Sequence, residues 1–186
     1  MRGTRGLWLT FAVAIAAALV VIPLGAARSR GNAAGGASAR PSAAVIPAGW
    51  AVYSAVDGSF QLTGPSGVRV SGLTTGIGPA QRAEFGDGTL SVTWLNAPVA
   101  GSDAQALEAG KASLLRPLVG RLADEEVDLL DAGHPGFGLL ITIEGTSYDV
   151  RLFAANGRLF QVVGQAPAGS PQVDDAVRFV DSFQLT

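Results

Sequence analysis

Asn156-Gly157 stands between two runs rich in aromatic and β-branched residues, Tyr148 to Ala154 and Arg158 to Val163. Asn-Gly tolerates positive φ at both central positions of a type I′ turn, and the twist of that turn matches the twist of paired strands. The pair therefore predicts an antiparallel hairpin, and the rest of the domain has to be compatible with the sheet it starts.

Other strand signals agree with it. Phe60-Gln61-Leu62-Thr63, Val68-Arg69-Val70-Ser71 and Leu90-Ser91-Val92-Thr93-Trp94 alternate apolar with polar residues and are bounded by Gly, Pro or Asp-Gly, which predicts strands with one face in the core. Val127 and Leu129 alternate with Glu126 and Asp128, and Gly133-His134-Pro135-Gly136 reads as a turn into Leu139 to Ile143. Two helices interrupt the strands. Ser102 with Gln105 three residues on forms a capping box ahead of a stripe of Leu107, Leu114, Leu115 and Leu118, with Pro117 as a stop. Ser170 as cap and Pro171 at the first helical position open the second, with Ala176, Val177, Val180 and Phe183 on its apolar side and Asp174 and Asp175 at the positive end of its dipole. Strands on both sides of one helix, followed by a closing helix, predict an α+β domain: a mainly antiparallel β-sheet packed by helices.

The closing stretch resembles the end of Mog1/PsbP-like domains. The residues that carry the likeness are Arg151-Leu152-Phe153, Asn156 to Val163, Pro167 and Ala176 to Leu185. Tyr53, Asp57-Gly58-Ser59-Phe60 and Pro65 resemble the opening hairpin of that group, so the resemblance spans roughly residues 50–186. It implies the fold, and a protein of the bacterial envelope type that works by binding. It brings no shared catalytic set.

Ahead of the domain lies an uncharged apolar run, Leu7 to Ile22, preceded by Arg2 and Arg5 and followed by Gly25, Ala26 and Ala27. As a helix it spans roughly 24 Å, and roughly 31 Å if continued to Ala27. The shorter length suits a signal peptide cut near Ala27, and the longer suits a retained anchor. Both remain open, and either implies the cell envelope: a membrane-anchored extracytoplasmic domain or a secreted one. Residues 28–45 are Gly, Ala, Ser, Arg, Asn and Pro without a large apolar residue before Val45, a flexible linker averaging roughly 23 Å end to end. The expected organisation is thus 1–27 targeting or anchor segment, 28–45 linker and 46–186 a single domain.

After Val45, eight Lys and Arg stand against fifteen Asp and Glu, a net of −7. Nucleic acid is a poor partner for such a surface. There is no cysteine and one histidine, His134, too few soft ligands for a zinc site, and no Gly-x-Ser-x-Gly elbow accompanies that histidine. Asp124, Glu125, Glu126, Asp128 and Asp131 form the densest charge, without the glycine-turned carbonyl loop of a calcium site. A solvated strand that discourages edge pairing explains it better. Gly72, Gly76 and Gly78 lie in a loop-like stretch that lacks the dinucleotide fingerprint, and Gly110-Lys111-Ala112 lacks that of a phosphate loop. No cofactor or metal, and no catalytic residue, is therefore assigned. Trp50, Trp94 and Tyr148 are the candidates for a ligand or partner surface.

The expectation is a non-catalytic envelope domain that attaches to the membrane through its N-terminal segment and binds a protein partner or a small apolar ligand. The alternatives are an envelope hydrolase using carboxylate chemistry and a purely structural accessory subunit.

Overall fold

The computed structural model describes residues 46–118 and 125–186. In chain order the elements are β1 (Trp50–Ser54), β2 (Phe60–Pro65), β3 (Arg69–Thr74), β4 (Pro79–Phe85), β5 (Leu90–Leu95), α1 (Asp103–Leu115), β6 (Glu125–Asp131), β7 (His134–Ile143), β8 (Thr146–Ala155), β9 (Arg158–Pro167), α2 (Gln172–Asp181) and β10 (Gln184–Leu185). A short 3-10 turn, Arg116–Leu118, follows α1. The apolar run Leu7 to Ile22, the linker and Asp124 lie outside the described residues. Among the described residues no helix is long and apolar enough to cross a membrane.

Seven strands form one antiparallel sheet in the order β3-β4-β5-β9-β8-β7-β6, and β1, β2 and β10 form a smaller one. The α+β architecture is the one expected. The hairpin at Asn156-Gly157 has positive φ at both positions (53° and 74°), and two further two-residue turns of the same kind occur at Ala132-Gly133 (48° and 85°) and Glu144-Gly145 (52° and 77°). The expected turn over Gly133 to Gly136 therefore sits one residue earlier. His134 and Pro135 begin β7, and Pro135 precedes the pairing with β8, which starts at Gly136, where a missing N–H is tolerated. Gly72 lies within β3, not in a loop. Gly76 and Gly78 do belong to a loop, which the Thr75 hydroxyl closes by donating to the Gly78 carbonyl and accepting from the Ile77 and Gly78 N–H groups.

α1 begins as its sequence predicts: the Ser102 hydroxyl accepts from the Gln105 N–H (3.3 Å), and the Gln105 side chain accepts from the Ser102 N–H (3.0 Å). α2 begins differently. Pro171 occupies the cap position without a side-chain bond, since its ring carries no hydrogen-bonding group, and the Ser170 and Pro171 carbonyls accept from the Val173 and Asp174 N–H groups. The Ser170 hydroxyl is buried and unpaired. Phe179 and not Val177 lies on the buried stripe of α2, with Ala176 and Val180.

The seven-stranded sheet divides the core. On one face α1 sets Leu107 and Leu114 against Leu139, Ile141, Val150, Leu152 and Leu159. On the other, α2 and the small sheet set Phe179, Val180, Phe60 and Leu62 against Phe85, Val92, Phe153 and Phe160. Each fully buried aromatic of this kind contributes about 1.5–3 kcal/mol by leaving water. α2 lies so close to β9 that a Cβ on Gly164 would meet the Ala176 carbonyl oxygen at 2.7 Å. Arg151 on β8 pairs with Asp181 of α2 and lies 3.6 Å from Asp149, tying helix to sheet from the side.

Candidate functional site

The two described helices do not cover every strand of this scaffold. α1 packs on β7, β8 and β9, so among the described residues the same face of β3, β4 and β5 carries no helix. β3 is the edge strand: among the described residues it pairs only with β4, and five of its six residues are exposed. Val70 is 47% exposed and Val52, on β1, is 58% exposed. β1 is itself an edge, bonded among the described residues only to β2, and it lies over β4, since the Tyr53 and Phe85 rings meet edge-on at 5.5 Å. The open edges of β1 and β3 thus flank the same strand.

The far edge of the large sheet is built differently. β6 reads Glu-Glu-Val-Asp-Leu-Leu-Asp, and its Asp128 is exposed, the kind of edge charge that discourages pairing. Asp131 is also engaged internally, accepting from the Leu185 N–H (2.7 Å). β3 carries one charge, Arg69, and no acid or proline. β1 carries no charge at all.

Strand register brings together polar residues that are remote in sequence. On the helix-free part of the α1 face, Ser71, Arg82, Thr93 and Gln161 form one row across β3, β4, β5 and β9, and Arg69, Glu84 and Ser91 form the next. The Arg82 guanidinium donates to the Ser91 hydroxyl at 3.3 Å. Its Nε lies 3.4 Å from a Glu84 oxygen, yet it is buried without an aligned acceptor. Arg69 lies 3.9 Å from the other Glu84 oxygen. Thr93 and Gln161 are only 8% and 7% exposed. The alternation of residues 90 to 94 suggested that Ser91 and Thr93 face solvent, but β5 is covered on both sides and all six of its residues are buried.

At one end of the sheet, Asp103 joins three segments. Its carboxylate accepts from the Asn156 and Gly157 N–H groups (3.2 and 2.6 Å) and lies 3.5 Å from His134 Nδ1. This fastens the start of α1 to two hairpins and gives His134 a structural neighbour. Close by, Arg158 donates from Nε to the Leu95 carbonyl (2.8 Å) and pairs with Asp57 (2.8 Å). Burial pushes the Asp57 carboxyl up, but hydrogen bonds from Ser59 and Arg158 and the Arg158 charge outweigh it, leaving the group below its ordinary value. Among the described residues no three His, Asp or Glu side chains gather at a metal-sized point.

Trp50, Trp94 and Tyr148 are not brought together. Trp94 is buried on the α2 face, its ring 5.2 Å from that of Phe60. Tyr148 is buried on the α1 face, and Trp50 is half-buried on β1. Of the three, Trp50 alone stands on an open edge.

No family model matches the chain, and no curated protein matches it. Among solved structures it is similar to cyanobacterial PsbP (CyanoP) from Synechocystis sp. PCC 6803, known from a solution structure, with 9% identity and a TM-score of 0.47 over 77% of this chain and 96% of that one.

Proposed function

We propose that residues 46–186 are a non-catalytic binding domain of the cell envelope that takes a protein partner along its open β1 and β3 edges. One observation carries this reading: β3 is exposed on both faces and, among the described residues, unpaired along its outer side, and it carries no acidic residue. A segment added there as a further strand gains main-chain hydrogen bonds from β3 and side-chain contacts with exposed Val70. Exposed Val52 and Val70 lie on the edge strands β1 and β3, which favours an extended peptide segment over a small apolar ligand. The apolar run Leu7 to Ile22 exports or anchors the domain, and residues 28–45 hold it clear of the lipid.

The test compares wild-type chain with Val70→Glu and Leu130→Glu, each adding a charge at an exposed site, in crosslinking of intact cells followed by mass spectrometry. Expected is a crosslinked partner lost in Val70→Glu and retained in Leu130→Glu, with unchanged thermal unfolding in both. A partner retained by Val70→Glu, or no partner with wild type, refutes the proposal. The same spectra of mature chain report whether it is cut near Ala27.

A further inference from the structure

Resting on the edge reading above, we propose that the partner segment joins β3 antiparallel, with an acidic residue facing Arg69 and a large apolar residue facing Gly72. The strands β3, β4 and β5 are paired antiparallel throughout, so an antiparallel segment continues the ladder already built. Side chains alternate along β3. Arg69 and Ser71 share a face with Leu73, which packs towards the α1 side, and Val70 shares the opposite face with Gly72.

The charge on this edge is unbalanced. Glu84 on β4 is shared by two guanidinium groups, with Arg82 at 3.4 Å and Arg69 at 3.9 Å, which leaves one positive charge. Arg69 holds it most openly, its side chain 82% exposed. β1 and β3 contain no acid. The domain as a whole is acidic, but charges farther away than the Debye length of about 8 Å are largely screened, so the local sign governs what docks here. Gly72 supplies the matching space, since a Cβ added there meets nothing within 4 Å. An aromatic side chain facing it lies over bare backbone and reaches Val70 on the diagonal. From its N-terminus the segment therefore reads large apolar, any residue, apolar, acid, facing Gly72, Ser71, Val70 and Arg69. A second copy of β3 offers Arg69 and no acid in return, and residues 28–45 contain Arg28, Arg30 and Arg40 and no acid. A separate partner segment is the better complement.

The test is fluorescence polarisation of the full chain, in detergent where needed, with the labelled peptide Ser-Thr-Phe-Thr-Val-Glu-Ser and with versions carrying Lys for Glu or Ala for Phe. Wild type is expected to bind the Glu peptide about fivefold more tightly than the Lys peptide, the size of an exposed ion pair set against a like-charge contact. The preference should shrink in 0.5 M salt, vanish in Arg69→Gln and reverse in Arg69→Glu, which a merely structural role for Arg69 would not produce. The Ala peptide should bind more weakly than the Phe peptide, and Val70→Glu should lose them all. Equal binding of the Glu and Lys peptides, an order unchanged in Arg69→Glu, or no binding of any peptide overturns the assignment. A chain that sediments as a dimer, and as a monomer in Val70→Glu, also overturns it by placing a second copy on the edge. If the crosslinked partner still depends on Val70 while the peptides show no charge preference, the acid at Arg69 is refuted and the edge reading stands; loss of that dependence refutes both.

Discussion

Replacing Gly164 by Ala tests how closely α2 is seated on the sheet. The added Cβ would stand 2.7 Å from the Ala176 carbonyl oxygen and 3.0 Å from the Ala176 carbonyl carbon and Cβ. Contacts between such atoms ordinarily rest near 3.3–4.0 Å, so the helix has to retreat by about 0.5–1 Å. A gap of that size forfeits roughly a quarter to a half of the dispersion energy of each contact it opens. The contacts at risk are those of Ala176, Phe179 and Val180, all fully buried. Overpacking of this kind costs about 2–3 kcal/mol, which lowers Tm by about 6–12 °C in a domain of this size. Gly72→Ala serves as the control. It lies in the same sheet with nothing within 4 Å of its added Cβ, and is expected to be neutral or to stabilise by about 0.4–1 kcal/mol through the unfolded chain. The closest contact is a backbone oxygen, so trimming Ala176 to Gly in the Gly164→Ala protein should recover less than half of the loss. Urea and thermal unfolding read all three. A Gly164→Ala protein as stable as Gly72→Ala would refute the seating of α2 described above.

Glu144→Asn should stabilise by about 1 kcal/mol in urea unfolding, because φ is 52° there and Asn tolerates the left-handed region better than Glu does; no gain would mean that the turn is not held in that conformation. Asp103→Ala should cost about 2 kcal/mol, leaving the Asn156 and Gly157 N–H groups without their acceptor, whereas Asp103→Asn should retain part of it. Asp57 titrates below its ordinary value when folded, so its contribution is present above about pH 4 and disappears as pH falls through its folded value. Asp57→Asn should therefore lower Tm at pH 7, and the difference from wild type should close on acidification below about pH 4; a difference that stays constant to pH 2.5 would contradict the ion pair with Arg158.

Local chemistry was legible where residue type and conformation agree. Asn156-Gly157 and the Ser102 and Gln105 capping box are cases in which the side chains prefer the geometry they adopt. Ala132-Gly133 and Glu144-Gly145 take the same turn with first residues that do not favour it; Gly133 marked the first of them one residue late, and the second carried no turn signal beyond its glycine. β4 was missed because Pro-Ala-Gln-Arg-Ala-Glu-Phe contains little that prefers a strand. Its Ala80 and Ala83 are buried on opposite faces by neighbours distant in sequence. Ser91 and Thr93 were read as outward because alternation shows two faces and not what covers them. The row of Arg82, Thr93 and Gln161 exists only through the pairing of β4 with β5 and of β5 with β9, and nothing in the spacing of those three residues announces it.

The smaller sheet is completed by contacts of very long range: Gln61 of β2 bonds Gln184 of β10 across 123 positions. Strands β6 to β9, by contrast, are linked by turns of two residues each. Local closure is quick and distant closure slow. A ribosome or translocation pore therefore releases β1 and β2 long before β10 emerges, with Phe60 and Leu62 lacking the lid that finally seals them. In that interval the nascent domain presents a sticky aromatic surface, and its safe maturation depends on how soon the last helix and strand arrive.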